Sequence, residues 1–468
     1  MFERRYEVQG ELAVLSALHV GSGEVEVIKG VGGREGSNEE PPGVARIVRD
    51  HAGQPYLPPT TLKGLLRRIG EEILSDEAVS DLFGVIKDSG DGSGVMGAIL
   101  ARGATLDRAG DATNYPYAAT AGALLGAGVF VAARTAIDPL AGVADDHKLF
   151  FQETVAPGAV FKLRLLLISR KDKPERIESL KAILAMLAAK NGVAVGRGKA
   201  DGAGALLLRR ESLNIVERRI GDDGKLTKTP VNFVLPEPRR ERRTPLPWRG
   251  TFICKGPFLS VDSSHDPNAG RKDEDDKGAP QLVYQRGAKL QPLELGSQVA
   301  GVLRARARWI MGLKALKAGL DSRSVDPGAG ADKDTNARTV RAPSDVIALD
   351  LTPVERLFGV AGFAGLLRIE KLRFSDGTPI EISSVKLDHF SGAPIDKALF
   401  ATRAMTGVRL ELALALQDRG GVGTPTPDDK ELFDALLGDM EEAGLTLGHG
   451  VNKGFGWFQF EKGVRDAK

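Results

Sequence analysis

Apolar positions along the first half of this chain switch between alternate spacing and helical spacing. Val8, Leu12, Val14 and Leu18 share one parity, which predicts a strand over residues 6–18. A polar, glycine-rich loop is expected at 20–43 and a short strand at 45–49. Leu62, Leu65, Leu66, Ile69 and Ile73 then recur at helical spacing behind Thr60 and Thr61, either of which can cap a helix. Further strands are predicted at 98–106, 126–137 and 159–168. A helix follows at 174–190, with Pro174 in its first turn and Ile177, Leu180, Leu184 and Leu187 on one side. The second half repeats the order: strand 251–261, helix 295–316, strands 363–374 and 408–416, helix 430–443. Strand–helix–strand–strand–helix–strand, twice, predicts an α+β chain of two ferredoxin-like domains with long inserted loops.

Two glycine loops make the repetition explicit. Gly196, Gly198, Gly202 and Gly204 spell G-x-G-x-x-x-G-x-G, and Gly448, Gly450, Gly454 and Gly456 spell it again at one constant offset. Each loop follows a helical run and leads into an apolar strand, Ala205-Leu206-Leu207-Leu208 or Trp457-Phe458-Gln459-Phe460. Gly64-Leu65-Leu66-Arg67 is answered by Gly301-Val302-Leu303-Arg304, and Leu82-Phe83-Gly84 by Leu357-Phe358-Gly359. Landmarks that keep their order mean a duplicated domain. The expected division is a first domain at 1–210, a Pro- and Arg-rich linker with some strand content at 211–248, and a second domain at 249–468. At 468 residues the chain favours at least two domains, and each half is long enough to bury a core.

Composition narrows the class. Hydrophobic residues make up 42% and charged residues 27%, ordinary for a soluble globular protein. No apolar run approaches the length that spans a membrane, and Met1-Phe2-Glu3-Arg4-Arg5 does not read as a signal peptide. Cys254 is the only cysteine, which excludes internal disulfides and cysteine-based zinc sites. A cytoplasmic protein without membrane partners is expected. The net charge of +2 decides nothing about nucleic acid, because binding depends on where charge sits.

The glycine loops carry the first candidate chemistry. A dinucleotide fingerprint follows a strand and opens a helix, whereas these loops follow a helix and open a strand, which argues against a nucleotide cofactor. Glycines without side chains let backbone N–H groups approach an anion, and Arg197, Lys199 and Lys453 add charge beside them. A tight buried turn without a ligand is the plainer alternative. His19-Val20-Gly21-Ser22-Gly23 ends the first strand, and Asp262-Ser263-Ser264-His265 ends its counterpart. Small hydroxyl residues and glycines there can bond phosphate or ribose oxygens, or simply turn the chain. Lys63, Gly64 and Arg67 open the first helix, as a cationic binding face or a solvated one.

Taken together, Leu18-His19-Val20-Gly21-Ser22-Gly23, Ile47-Val48-Arg49-Asp50, Leu62-Lys63-Gly64-Leu65-Leu66-Arg67, Leu82-Phe83-Gly84 and the terminal glycine loop resemble the RAMP superfamily. Within it they resemble the repeated backbone subunits of type III CRISPR effector complexes, fused in tandem as in III-D-like variants. The second half keeps the frame with degraded motifs. The resemblance implies modified ferredoxin-like (RRM-like) domains aligned along a guide RNA, in antiviral defence, with complementary target RNA and other RAMP-type subunits as partners. Guide contacts are implied at His19, Gly21, Ser22, Lys63, Gly64, Arg67, Gly196, Arg197, Gly198, Lys199, Gly202 and Gly204. In the second half they are implied at Ser263, Ser264, Gly301, Arg304, Gly448, His449, Gly450, Lys453, Gly454 and Gly456. Guide recognition independent of sequence must rest on phosphate, 2′-hydroxyl and shape. Thumb hairpins are implied near 134–152 and 387–403, where Leu149 or Phe390 could wedge against a base or could instead be core.

Nuclease-active relatives carry a loop aspartate three residues before the strand written here as Ile47-Val48-Arg49-Asp50. This chain has Val44 there, and Asp50 matches a different, structural position. The second half has Asp273, Glu274, Asp275 and Asp276 ahead of Pro280. Asp276 is the expected catalytic residue and metal ligand, with Asp273, Asp275 and Asp262 behind it, and a solvated acidic loop as the alternative. Any metal is expected to be Mg²⁺ shared with RNA phosphate, since no fixed ligand cluster is present. The expected function is a guide-binding backbone subunit that cuts target RNA through its second domain. The alternatives are a non-cutting scaffold and a guide-processing endoribonuclease.

Overall fold

The computed structural model describes residues 4–29, 31, 42–86, 94–113, 115, 125–137, 144–169, 173–199, 202–220, 226–231, 234–238, 247–260, 296–327, 340 and 342–464. In the first half the ferredoxin-like elements are β1 (Arg4–Val14), α1 (Pro59–Ile73), β2 (Ile99–Arg108), β3 (Val160–Ser169), α2 (Glu175–Leu187) and β4 (Ala205–Leu208). In the second half they are β5 (Trp248–Cys254), α3 (Gly296–Lys317), β6 (Leu367–Leu387), β7 (Pro394–Leu416), α4 (Pro427–Ala443) and β8 (Trp457–Val464). The first sheet runs β4-β1-β3-β2 and the second β8-β5-β7-β6, antiparallel throughout. Both are therefore the ferredoxin-like strand order, in which the first strand of each half lies at the sheet centre.

Registers agree between the halves. Leu12 faces Phe161 on one side and Leu208 on the other, and Phe252 faces Leu410 and Phe460. Two cores result. Leu12, Leu66, Leu163, Leu184 and Leu206 belong to one, and Phe252, Leu303, Leu410, Leu436 and Phe458 to the other. The helix at Asp76–Phe83 and its counterpart at Pro353–Phe358 pack beside them, each ending in the Leu-Phe-Gly motif, whose glycine sits at positive φ.

Three features depart from the expected elements. Part of the 211–248 stretch belongs to the first sheet: Asn214–Ile220 pairs with β1 over Arg4–Gln9, and Leu226–Pro230 pairs with it in turn. The first half also carries a second sheet, in the order Gly21–Val27, Gly43–Ile47, Ala144–Val155, Val129–Ile137. In the second half β6 and β7 outrun the domain. β5 pairs with β7 only over Val408–Leu414, while the β6–β7 ladder continues from Asp376↔Val408 out to Leu387↔Pro394. The strand expected at 363–374 is thus the base of a long hairpin.

Candidate nucleic-acid interface

Both glycine loops are built alike. All four glycines lie at positive φ in each, 77–78° in the first and 74–93° in the second. In the first loop Val195 N–H donates to Gly204 O at 2.9 Å, and Ala203 N–H to Gly198 O at 3.1 Å. The second repeats this with Leu447 N–H to Gly456 O at 2.9 Å and Phe455 N–H to Gly450 O at 3.2 Å. Each loop also docks on the segment after the first strand of its own half. Arg197 N–H donates to His19 O and Gly204 N–H to Ala17 O, both at 2.9 Å. His449 N–H to Leu259 O (2.6 Å) and Gly456 N–H to Pro257 O (2.7 Å) are the equivalents. A Cβ at Gly204 would sit 1.9 Å from Val195 O, and one at Gly456 would sit 1.7 Å from Leu447 O, so only glycine closes these turns.

Those amides are committed inside the protein. Beside the loops stand the side chains of Arg197 and Lys199 in the first and of Lys453 and His449 in the second, all exposed. Arg197 lies over the Phe150 ring, 5.7 Å from its centroid. Arg134, directly opposite Phe150 on the Val129–Ile137/Ala144–Val155 hairpin, comes against Gly198, where a Cβ would be 3.4 Å from Nη2. Neither Arg134 nor Phe150 belongs to a glycine motif, so sequence alone did not bring them to this site.

His19 is buried, and its ring nitrogen Nδ1 lies 2.7 Å from Glu153 O, placing the proton on Nδ1. Burial pushes its pKa below the ordinary imidazole value, and the charges of Arg197 and Arg134 push the same way against Glu153. A neutral imidazole buttresses the loop and carries no charge to a phosphate. Beneath it Glu153 is fully buried. It accepts from Arg46 Nε (3.0 Å), Ile47 N–H (2.9 Å) and Arg49 Nη2. Asp50 accepts from the Ala52 and Gln54 amides at 2.9 Å, so its carboxylate holds its own turn. Val44 is buried in its strand. Gly21 and Ser22 open the exposed Gly21–Val27 strand, where Ser22 Oγ accepts from Glu24 N–H.

On α1, Gly64 is exposed with open space above it and Lys63 is half-buried. Arg67 pairs with Glu71 at 3.0 Å, leaving part of its guanidinium at the surface. In the second half Gly301 is likewise open and exposed on α3. Arg304 is placed otherwise than its motif suggests. Nε and Nη2 are held by the two carboxylate oxygens of Asp326 at 2.9 and 2.8 Å, and Asp326 also takes Arg308. Burial would raise the Asp326 pKa, but hydrogen bonds and charges from Arg304 and Arg308 hold the carboxyl below its ordinary range. Arg304 thus carries an internal ion pair and anchors α3.

Asp262, Ser263, Ser264, Asp273, Asp275 and Asp276 lie outside the described residues, as does the side chain of Leu149. Among the described residues no three His, Cys, Asp or Glu side chains converge to hold a metal. No described helix is long and apolar enough to cross a membrane. Phe390 stands at the turn of the β6–β7 hairpin, 94% exposed. Asp388 shapes that turn by accepting from the N–H groups of Phe390 and Ser391 and from Ser391 Oγ. Those bonds, led by the Ser391 amide, lower its pKa.

The model of the RAMP superfamily matches residues 11–108 and 295–459, one stretch in each half and more than half of the chain. The chain belongs to the RAMP superfamily. Its two matched stretches fall on two ferredoxin-like domains with equivalent glycine loops, so it is a tandem RAMP protein. Membership points to a CRISPR-associated RNA-binding subunit with RNA and effector-complex partners. No curated protein matches the chain.

Proposed function

We propose that this tandem RAMP protein is a guide-RNA-binding backbone subunit of a type III CRISPR effector complex. The observation that carries the reading is the cationic first glycine loop, where Arg197, Lys199 and Arg134 gather beside glycine turns too tight for any other residue. Such a loop offers charge and shape without base-edge selectivity, which is what a guide strand of varying sequence requires. The projecting β6–β7 hairpin, with Phe390 at its tip, supplies a platform on which a base can stack. Target-RNA cleavage through the second domain is the finer part of the proposal. Asp276 would hold a divalent cation such as Mg²⁺, with Asp273, Asp275 and Asp262 as alternates, and the cation would polarise the attacked phosphate. The first domain, with Val44 at the corresponding position, contributes no cut.

The test is to purify the chain with its natural partners and sequence the bound nucleic acid. Guide RNA of mixed spacer sequence is expected. Recovery without RNA, or RNA affinity unchanged by alanine at Arg197, Lys199 and Lys453, overturns the reading. Asp276→Ala is expected to remove one cleavage product while leaving guide binding intact. Full cleavage in alanine variants of all four aspartates makes the chain a scaffold.

A further inference from the structure

The two halves meet at a point where positive charge accumulates. Gly202 of the first glycine loop faces β6 of the second half, and a Cβ added there would sit 3.4 Å from Ile369 Cγ2. Around this contact stand Arg68 from α1, Lys199 from the loop, Arg368 from β6 and Arg419 from the segment after β7. Lys199 feels all three guanidiniums, and Arg68 feels Arg368.

Among the described residues, the carboxylates that act on this group do not balance its charge. Arg68 is opposed by Glu72 and Glu370, and Glu370 lies 3.5 Å from Arg368 Nε. Among the described residues, four cations against two carboxylates leave an excess of about two positive charges at this contact. The guanidinium bonds go largely to main-chain oxygens: Arg68 to Ala194 O, and Arg419 to Ala364 O and Gly365 O. Arg419 also stacks over Phe363. Among the described residues, Arg368 Nε is sealed from solvent and has no hydrogen-bond partner, only the Glu370 carboxylate at 3.5 Å. Partial desolvation lowers the pKa of Arg68, Lys199 and Arg419; the charges of Arg68, Arg368 and Arg419 push Lys199 the same way, that of Arg368 pushes Arg68, and that of Arg356 pushes Arg419. Cations gathered this way repel one another unless an anion sits among them.

We propose that this seam is a phosphate site, in which Arg68, Lys199, Arg368 and Arg419 hold one backbone phosphodiester of an RNA strand as it passes from the first half to the second. The ligand would be shared between halves, so binding would also fix one half against the other. The site rests on the RNA-binding reading above and adds to it Arg68, Arg368 and Arg419, which no glycine or helix-start motif contains.

The experiment compares intact chains carrying Arg68→Met, Lys199→Met, Arg368→Met or Arg419→Met, using a single-stranded RNA of mixed sequence as the probe. Affinity is measured across a salt series, with Arg197→Ala as the control away from the seam. Each seam variant is expected to weaken binding and to reduce the salt slope by about one unit, as removing one phosphate-binding cation should. Lys199→Met is expected in addition to raise the Tm of the free protein, because it relieves repulsion, and to reduce the Tm gain on adding RNA. A structural seam gives the opposite: lowered Tm in the free variants and unchanged salt slope, and that result overturns the site. Inorganic phosphate forms a separate arm. If it alone stabilises the wild type and not Lys199→Met, while RNA slopes stay unchanged, the RNA assignment fails. If an acidic segment of the chain fills the seam, RNA slopes again stay unchanged and the proposal fails. Loss of binding in Arg197→Ala with none in the seam variants overturns the seam and leaves the general reading standing. No change in any of the five sinks both.

Discussion

Arg176 grips Asp81 with two hydrogen bonds of 2.6 Å, and the second half repeats this bridge with the charges exchanged. There Arg356 occupies the position of Asp81, just before Leu-Phe-Gly, and donates through Nε to Asp429 at 2.8 Å, near the start of the last helix. Duplicated folds preserve the need for a clamp between these two helices, and either polarity meets it.

The clamp gives the first expected outcome. Asp429 is fully buried, so Arg356→Met strands a carboxylate and is expected to cost about 3–5 kcal/mol by denaturant unfolding. Arg176→Met should cost less, because Asp81 keeps access to water. Exchanging both charges, Arg356→Asp with Asp429→Arg, should recover part of the loss. A double variant no better than the single one would deny that polarity is exchangeable.

Substitution at the loop glycines should separate closure from conformational preference. Gly454→Ala meets open space at φ +80, so it should cost about 1–2 kcal/mol, the left-handed penalty alone. Gly204→Ala and Gly456→Ala add a collision with a main-chain oxygen, for which overpacking costs about 1–3 kcal/mol more. Equal Tm losses at all three positions would mean that the loops relax around a methyl group.

His19 makes the first half sensitive to acid. Its folded pKa is lowered, chiefly by burial, so between that value and about 6.5 the unfolded chain binds a proton that the native chain refuses. Stability then rises with pH across this window, is complete above it, and declines as pH falls below about 6.5. His19→Gln should flatten the decline in a urea titration between pH 7 and pH 5. An unchanged pH profile in that variant would place the proton elsewhere.

Much of this was legible in the sequence, and the exceptions share a cause. The parity of Val8, Leu12 and Val14 and the helical spacing of Leu62, Leu65 and Leu66 read correctly because one face of each element is buried. The distal β6–β7 hairpin buries little on either face, and its apolar alternations, Ile380-Glu381-Ile382 and Val385-Lys386-Leu387, are too short and broken to reveal a strand of its length. Asn214–Ile220 lay within the stretch expected to be a linker, because its partner β1 is some two hundred residues away in sequence. Arg304 illustrates the limit of motif position: only the fold brings Asp326 onto it. The seam cations come from four separate elements, so no local pattern could have joined them.

Arg304 and Lys453 should therefore behave in opposite ways. Arg304→Ala removes a bidentate partner from buried Asp326 and is expected to destabilise the second half by about 1–3 kcal/mol, with RNA salt slope unchanged. Exposed Lys453→Ala should leave Tm alone and lower the slope by about one unit. Asp326 adds a pH signature. Its carboxyl is held low by Arg304 and Arg308, so its contribution is present above the ordinary carboxylate range and lost as pH falls through the lowered value. Finding the salt slope altered by Arg304→Ala would return this residue to the RNA surface.

Phe390 offers the sharpest test of the projecting hairpin. An aromatic side chain left 94% exposed contributes almost nothing to burial, so Phe390→Ala should not lower stability. Its turn is held by Asp388 through hydrogen bonds that do not involve the ring, so the hairpin should keep its shape in the variant. If the ring stacks on a base, the same substitution should weaken RNA binding by about 1–3 kcal/mol. The salt slope should stay constant, because no charge is removed. Phe390→Trp should retain or strengthen binding, and Phe390→Leu should fall between, since a leucine keeps apolar area and loses the aromatic face. Equal affinity for alanine, leucine and tryptophan variants, with guide and target both present, would show that the tip meets protein or solvent and that the hairpin takes no part in holding bases apart.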